Sequence, residues 1–334
     1  MNRRHFTLSL TFGPFAASFA TAQQQTGSVR HVSALLPLAD DELGRSRLGR
    51  FQQKLEELGA SMHQNIIVDA RWAGDDSEVI QRFAAELIAA EPDALFAVGT
   101  SAVGALVQRT RTIPIVFVQV TDPVAAGFVA DLSSPGGNVT GFANFGASVG
   151  GERVRLLNEV APHVRRAMII FEAEYPLQAG LLRSSTAAAS SLGIRITEEG
   201  VRDFSKLEKD VAGFAQEPNG GLVIVQGPFT TRYRKQIVAL AELHRLPAVY
   251  PLASFTEAGG LVSHGVNLTI MWQAAAEYVS RILLGVRPGD LAVQEPRVAE
   301  VVLNLGTAKK TGAHDFSIGE RTRYQIDRLT VSWT

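Results

Sequence analysis

Chemistry in a folded chain needs nucleophiles, acid–base pairs, metal ligands or phosphate cradles at defined spacings. Cys is absent from all 334 residues, which removes disulfides, thiolate zinc sites, iron–sulfur clusters and Cys nucleophiles. The seven His (5, 31, 63, 163, 244, 264, 314) lack the i, i+4 spacing of a zinc helix, so no metal site is expected. No strand ends in GxGxxG and no GxxxxGKS/T occurs, so no nucleotide cofactor is expected. The nearest approach to a nucleophile elbow is Gly99-Thr100-Ser101-Ala102-Val103, which has Val where GxSxG needs its second Gly. A hydrolase would require Ser101 within hydrogen-bond reach of His264 and an oxyanion hole beside it. Asp40-Asp41 reads as a pair of solvated loop acids. The chain is therefore not expected to be an enzyme.

What remains is a set of polar and aromatic residues that each follow an apolar run. Thr100 and Ser101 follow 94–99 and open a helix, where hydroxyls and free amides suit a carboxylate. Either residue could instead simply cap that helix. Thr121 and Asp122 follow 113–120; the Asp122 carboxylate suits a ligand amine or, equally, a turn before Pro123. In the second half, Glu172–Tyr175 and Gln226–Phe229 follow 166–171 and 221–226. Tyr175 and Phe229 offer flat apolar surface to a ligand or to a sheet edge. His264 reads as structural. The candidate ligand set is Thr100, Ser101, Thr121, Asp122, Tyr175, Gln226 and Phe229.

These residues need an alternating α/β framework behind them. Strands are expected at 31–37, 65–71, 94–99 and 114–120, with helices near 45–58, 76–90 and 101–110. Segment 113–120 (IPIVFVQV) has the composition of a strand buried on both faces of a parallel sheet. Val79, Phe83 and Leu87 give helix 76–90 one packing stripe. Pro135, Gly136, Gly137, Gly141 and Gly146 mark 131–146 as a crossing segment rather than an element. A second set follows, with strands at 166–171, 194–200, 221–226, 247–251 and 260–264. Its helices lie near 150–160, 177–192, 203–215 and 231–245. A last helix at 269–285 stops at Gly285 and Pro288, before a strand at 299–305. Two α/β units of similar size imply two doubly wound lobes with a cleft between them.

Residues 1–22 read as an export signal rather than part of the fold. Arg3 and Arg4 precede an apolar stretch to Phe19, and Ala20-Thr21-Ala22 suits cleavage after Ala22. The paired Arg followed by His5 and Phe6 points to the twin-arginine route, and general secretion accepts the same start. Cleavage removes two Arg and no acid, so basic residues fall from 32 to 30 against 33 acidic. No large positive field attracts nucleic acid, and no later run is long enough to span a bilayer. A periplasmic, monomeric, soluble protein is expected.

Over residues 1–311 the sequence resembles type I periplasmic solute-binding proteins, specifically the ABC-transporter substrate-binding family associated with tryptophan/tyrosine transport. The resemblance rests on RRHF with its cleavage signal, IPIVFVQVTDPVAAGFVADLSSPGGNVTGF (113–142), RYRKQIVALAELHRLPAVYPLASFTEAGGLVSHG (232–265) and RILLGVRPGDLAVQEP (281–296). It implies two Rossmann-like lobes joined by three crossovers near 142–146, 263–266 and 293–297. One lobe would comprise 29–143 plus 265–295, the other 144–264 plus 296–311, with 312–334 an extension. It further implies a small solute in the cleft, a carboxylate on Thr100 and Ser101, Asp122 near the amine, and delivery to an inner-membrane ABC permease. An exported sensor docking on a membrane signalling protein is the alternative. Glu172-Ala173-Glu174-Tyr175-Pro176 replaces an Asn/Pro-rich loop of many relatives, and Gln226-Gly227-Pro228-Phe229 stands where an acidic residue is frequent, so an aromatic amino acid is not carried over as the ligand.

Overall fold

A computed structural model describes residues 29–61, 65–74, 76–173, 178–296 and 299–310. Residues 1–22, read as an export signal, Tyr175 and 312–334, read as an extension, lie outside the described residues. Two mainly parallel sheets organise the chain.

The first sheet holds β1 (Val29–Leu36), β2 (Asn65–Trp72), β3 (Ala94–Val98), β4 (Ile115–Val120) and β5 (Val139–Ala143), ordered β2-β1-β3-β4-β5 and parallel throughout. β3 and β4 are buried along their whole length, as their unbroken apolar runs require of central parallel strands. Helices α1 (Glu42–Ser61), α2 (Ser77–Ala89) and α3 (Gly99–Val107) supply the crossovers. On α2 the buried stripe is Ile80, Ala84 and Leu87, with Val79 and Phe83 half-buried beside it, one position round from the expected stripe.

The presence of β5 corrects the reading of 131–146 as a crossing segment. Gly141 pairs with Phe117 at φ +153°, and a Cβ there would lie 2.1 Å from the Phe117 carbonyl oxygen. A strand forced so close to its neighbour must carry glycine, and that glycine is what made it read as a break.

The second sheet holds β6 (Arg166–Glu172), β7 (Arg195–Val201), β8 (Gly220–Ile224), β9 (Ala248–Tyr250), β10 (Val262–Gly265) and β11 (Glu300–Leu303), ordered β11-β10-β9-β8-β6-β7. Only the β10–β11 pair is antiparallel. Its helices include α4 (Val149–Val160), α5 (Gln178–Ser191) and α6 (Phe204–Phe214). The expected helix 231–245 is broken at Tyr233 into α7 (Pro228–Arg232) and α8 (Arg234–Leu243), because Tyr233 leaves helical geometry at φ −91°, ψ 17°. Two short helices that the periodicity did not reveal follow, α9 (Ala253–Glu257) and the terminal α11 (Leu305–Lys310).

Helix α10 (Leu268–Leu283) returns to the first sheet. Asn267 caps it by accepting the Ile270 amide at 3.1 Å. Its Trp272 is fully buried, edge-on to Phe96 at 5.1 Å, and Phe96 stacks on Phe51 of α1 at 4.1 Å. Three segments thus pass between the sheets: after β5, between β10 and α10, and before β11. The third is tied to the first, since Gln294 donates to the Gly141 carbonyl at 2.9 Å and accepts from the Ala143 amide at 2.8 Å. The Thr140 hydroxyl adds a bond to the Leu291 carbonyl at 2.6 Å.

Candidate functional site

Ligand sites of open α/β sheets lie past the carboxyl ends of the strands, and here those ends from both sheets meet across a cleft. Gln226, just after β8, donates from Nε2 to Oε1 of Gln119 in β4 at 3.1 Å. Gln119 takes a left-handed backbone (φ +60°) at a register shift in β4, a conformation costing about 1–2 kcal/mol for a non-glycine residue. Its carbonyl accepts from Nδ2 of Asn144 at 3.2 Å. Gln119 Nε2 and Asn144 Oδ1 are both buried with no hydrogen-bond partner among the described residues. Buried amide atoms without partners are rare in folded chains and suit a ligand's polar groups.

Thr100 and Ser101 form the first turn of α3, which Gly99 enters at φ +79°. Neither side chain caps the helix: the capping position is Val98, with no side-chain bond. Their hydroxyls make no hydrogen bond with the described residues, and Thr100 is half-buried while Ser101 is exposed. Beside them stand the first-turn amides of α3, which no helical carbonyl can satisfy. Asp122, exposed and at φ +47°, accepts the Ala125 amide at 2.9 Å through Oδ1. It therefore forms a turn at Pro123, as one of its two readings held. Thr121 is half-buried beside it.

In the second sheet, the buried Thr230 hydroxyl donates to the Val225 carbonyl at 2.8 Å and accepts the Gly227 amide at 3.0 Å, fixing the loop that carries Gln226. Glu172 lies against this loop, so close that a Cβ on Gly227 would be 2.5 Å from its Oε2. Phe229 packs inward, 4.7 Å from Tyr233, which stacks on Phe204 at 5.2 Å. Phe229 belongs to the hydrophobic core and keeps 6% of its surface exposed. Gln119, Gln226, Thr100, Ser101, Thr121 and Asp122 are thus grouped at the ends of β3, β4 and β8.

A cavity of about 330 Å³ opens beside them, at the ends of β1 and β2. Leu38, Asp41, Arg47 and Trp72 line it from the first sheet's side, and Thr231 and Arg234 from the second. Among the described residues, none of the candidates read from the sequence lines it. Asp40 is solvated and paired with Arg45 at 2.6 Å, as expected for a loop acid. Asp41 is not merely solvated: Oδ1 accepts the Gly44 amide at 2.8 Å, and Oδ2 faces Arg234 across the cleft at 3.5 Å. The overlooked signal is in α1, where Leu43, Arg47, Phe51 and Leu55 recur at fourfold spacing, placing an arginine on the apolar face.

Near the crossover from β10, His264 is 9% exposed and His264 Nε2 lies 3.6 Å from Glu152. Burial, with Arg153 beside it, pushes its pKa down to about 4, so the ring is neutral at pH 7. The His264 carbonyl accepts from Arg153 Nε at 3.0 Å. Ser101 makes no hydrogen bond with it, so the hydrolase arrangement is not assembled.

Two mainly parallel α/β lobes, three connecting segments and polar loop residues facing one cleft define the class of two-lobed solute-binding proteins. The chain belongs to the ABC transporter substrate binding protein family, which it matches over residues 32–315 and whose members bind solutes rather than catalyse reactions. A tyrosine-binding protein of Clostridioides difficile (strain R20291) is 23% identical over 265 residues, 78% of this chain and 74% of the relative. The structure of an ABC domain in complex with L-Trp from Streptococcus pneumonia superposes with a TM-score of 0.74 at 19% identity, covering 85% of this chain and 94% of that one. A conserved domain protein from Vibrio cholerae O1 biovar eltor gives a TM-score of 0.74 at 26% identity over 86% of this chain and 95% of its own. Among the described residues, no helix is long and apolar enough to cross a membrane.

Proposed function

We propose that this protein is the periplasmic receptor of an ABC importer, exported by residues 1–22, and that it captures a small organic solute, an amino acid or a carboxylate, between its lobes. The lobes are 29–143 with 265–295 and 144–264 with 296–311, and they close about the three crossovers to present one surface to an inner-membrane permease. The observation that carries this reading is the Gln119–Gln226 bond across the cleft, flanked by polar atoms that lack partners. The relatives that bind tyrosine and tryptophan support an amino acid. The carboxylate would sit on the Thr100 and Ser101 hydroxyls and the α3 amides, and the amine near Asp122. Closure needs contacts made only in the closed state, since a ligand bound equally to both states shifts nothing.

The test is a thermal-shift screen of the protein from Gln23 against amino acids, small carboxylates, purines and sugars, followed by calorimetry on each compound that stabilises it. A solute at 100 times its dissociation constant stabilises by about 2.7 kcal/mol. Thr100→Val and Asp122→Asn are each expected to weaken the best solute about 10-fold, the loss of one hydrogen bond to a charged group. Unchanged affinity in both variants would overturn the site assignment.

A further inference from the structure

The cavity beside the candidate site holds a buried cation that the protein attracts through Asp41 and Glu257 without pairing it directly. Arg47 is 8% exposed, yet its guanidinium makes no hydrogen bond and no ion pair with the described residues. None of its nitrogens is among the side-chain atoms sealed from solvent without a partner, so its surface opens into the cavity it lines. Arg234 reaches the same cavity from the other lobe, and its charge is met by Asp41 at 3.5 Å. Asp40 is already engaged by Arg45. Arg47, Arg232 and Arg234 line the cavity with Asp40 and Asp41, and the most buried of these cations, Arg47, feels Asp41 and Glu257 without making an ion pair to either.

A buried guanidinium with five unused donors is costly and matches the planar geometry of a carboxylate or phosphate. The two arginines come from opposite lobes. Burial and the Arg234 charge outweigh the attraction of Asp41 and Glu257 and hold Arg47 at a pKa of about 10, so a further anion between the two arginines would favour closure. A ring of Trp72 lines the same space, giving an apolar wall to the rest of a small molecule.

We propose that this cavity takes an anionic group, carboxylate or phosphate, of the captured solute, held between Arg47 of one lobe and Arg234 of the other. The inference rests on the solute-capture reading above and adds to it a charge requirement and a second anchoring point. An anion there relieves the repulsion only when both lobes contribute, so its binding is coupled to closure.

The experiment compares wild type, Arg47→Gln, Arg47→Lys and Arg234→Gln by thermal shift and calorimetry. The probes are matched pairs: L-tyrosine with tyramine, phenylacetate with phenylacetamide, succinate with succinamide, and inorganic phosphate with glucose. At least one anionic member is expected to bind wild type more tightly than its partner, with phosphate or the carboxylates identifying which anion is preferred. Arg47→Gln should weaken that member about 10- to 100-fold, the range for a lost charge-assisted hydrogen bond at a buried site. It should also raise the melting temperature of the ligand-free protein, because it removes a buried charge that makes no hydrogen bond or ion pair. Arg47→Lys should bind with intermediate affinity, having charge without the fork. A lower ligand-free melting temperature in Arg47→Gln, with anion affinity unchanged in it and in Arg234→Gln, would make the arginines structural and overturn the proposal. Members without a carboxylate or phosphate binding wild type as tightly as their partners, and Arg47→Gln equally, would overturn the anion requirement and leave solute capture standing. Binding of no probe would count against both.

Discussion

Lowering the pH should destabilise this protein through one side chain, and His264→Gln should remove that effect. His264 has a folded pKa of about 4 against an ordinary value of 6.5, because its ring is buried and lies near Arg153. The Glu152 carboxylate at 3.6 Å is half exposed and does not offset these. A histidine whose folded pKa lies below its unfolded value binds its proton preferentially in the unfolded chain. Its stabilising contribution is therefore complete above pH 6.5 and is lost as pH falls through 6.5 towards 4. From these two values the loss is about 2 kcal/mol at pH 5 and about 3 kcal/mol at pH 4. Glutamine keeps a neutral polar side chain of similar size, and the Arg153 bond survives because it goes to the His264 backbone carbonyl. Urea unfolding of both proteins at pH 7, 6 and 5 gives the difference directly, since carboxylates common to both cancel. The variant should gain about 2 kcal/mol relative to wild type between pH 7 and pH 5. A difference that stays constant over that interval would refute the argument that burial holds this ring neutral.

Two further substitutions test the framework. Gly141→Ala places a methyl 2.1 Å from the Phe117 carbonyl at φ +153°, so β5 must separate from β4; a loss of about 3 kcal/mol or more in urea unfolding is expected. Trp272→Ala empties the contact between α10 and Phe96 and should cost about 3–5 kcal/mol by the same assay, a value that would fall well below this range if α10 were only loosely docked.

The alternation of strands and helices was legible because a parallel sheet covered on both faces demands long apolar strands, and β3 and β4 have them. β5 was hidden because it sits against β4 so closely that only glycine fits at 141. The break at Tyr233 was hidden because helical periodicity continues across it. The placement of Thr100, Ser101, Thr121 and Asp122 just past β3 and β4 was legible from where the apolar runs stop. Gln119 was not, because within IPIVFVQV it looks like one more strand residue, and only its left-handed backbone turns it towards Gln226. Asn144 was lost in the glycine-rich stretch. Arg47 left a trace, an arginine on an apolar helix face, whose meaning depends on the loop of α7 arriving from 180 residues further along the chain.

The claim that a solute is held between the two lobes is tested most directly by hydrogen exchange of the protein from Gln23, with and without a saturating compound from the screen. Slowed exchange is predicted in the loops after β3, β4 and β8, at 99–101, 119–122 and 225–230, on both sides of the cleft at once. Protection confined to one lobe, or absent from these loops, would contradict it.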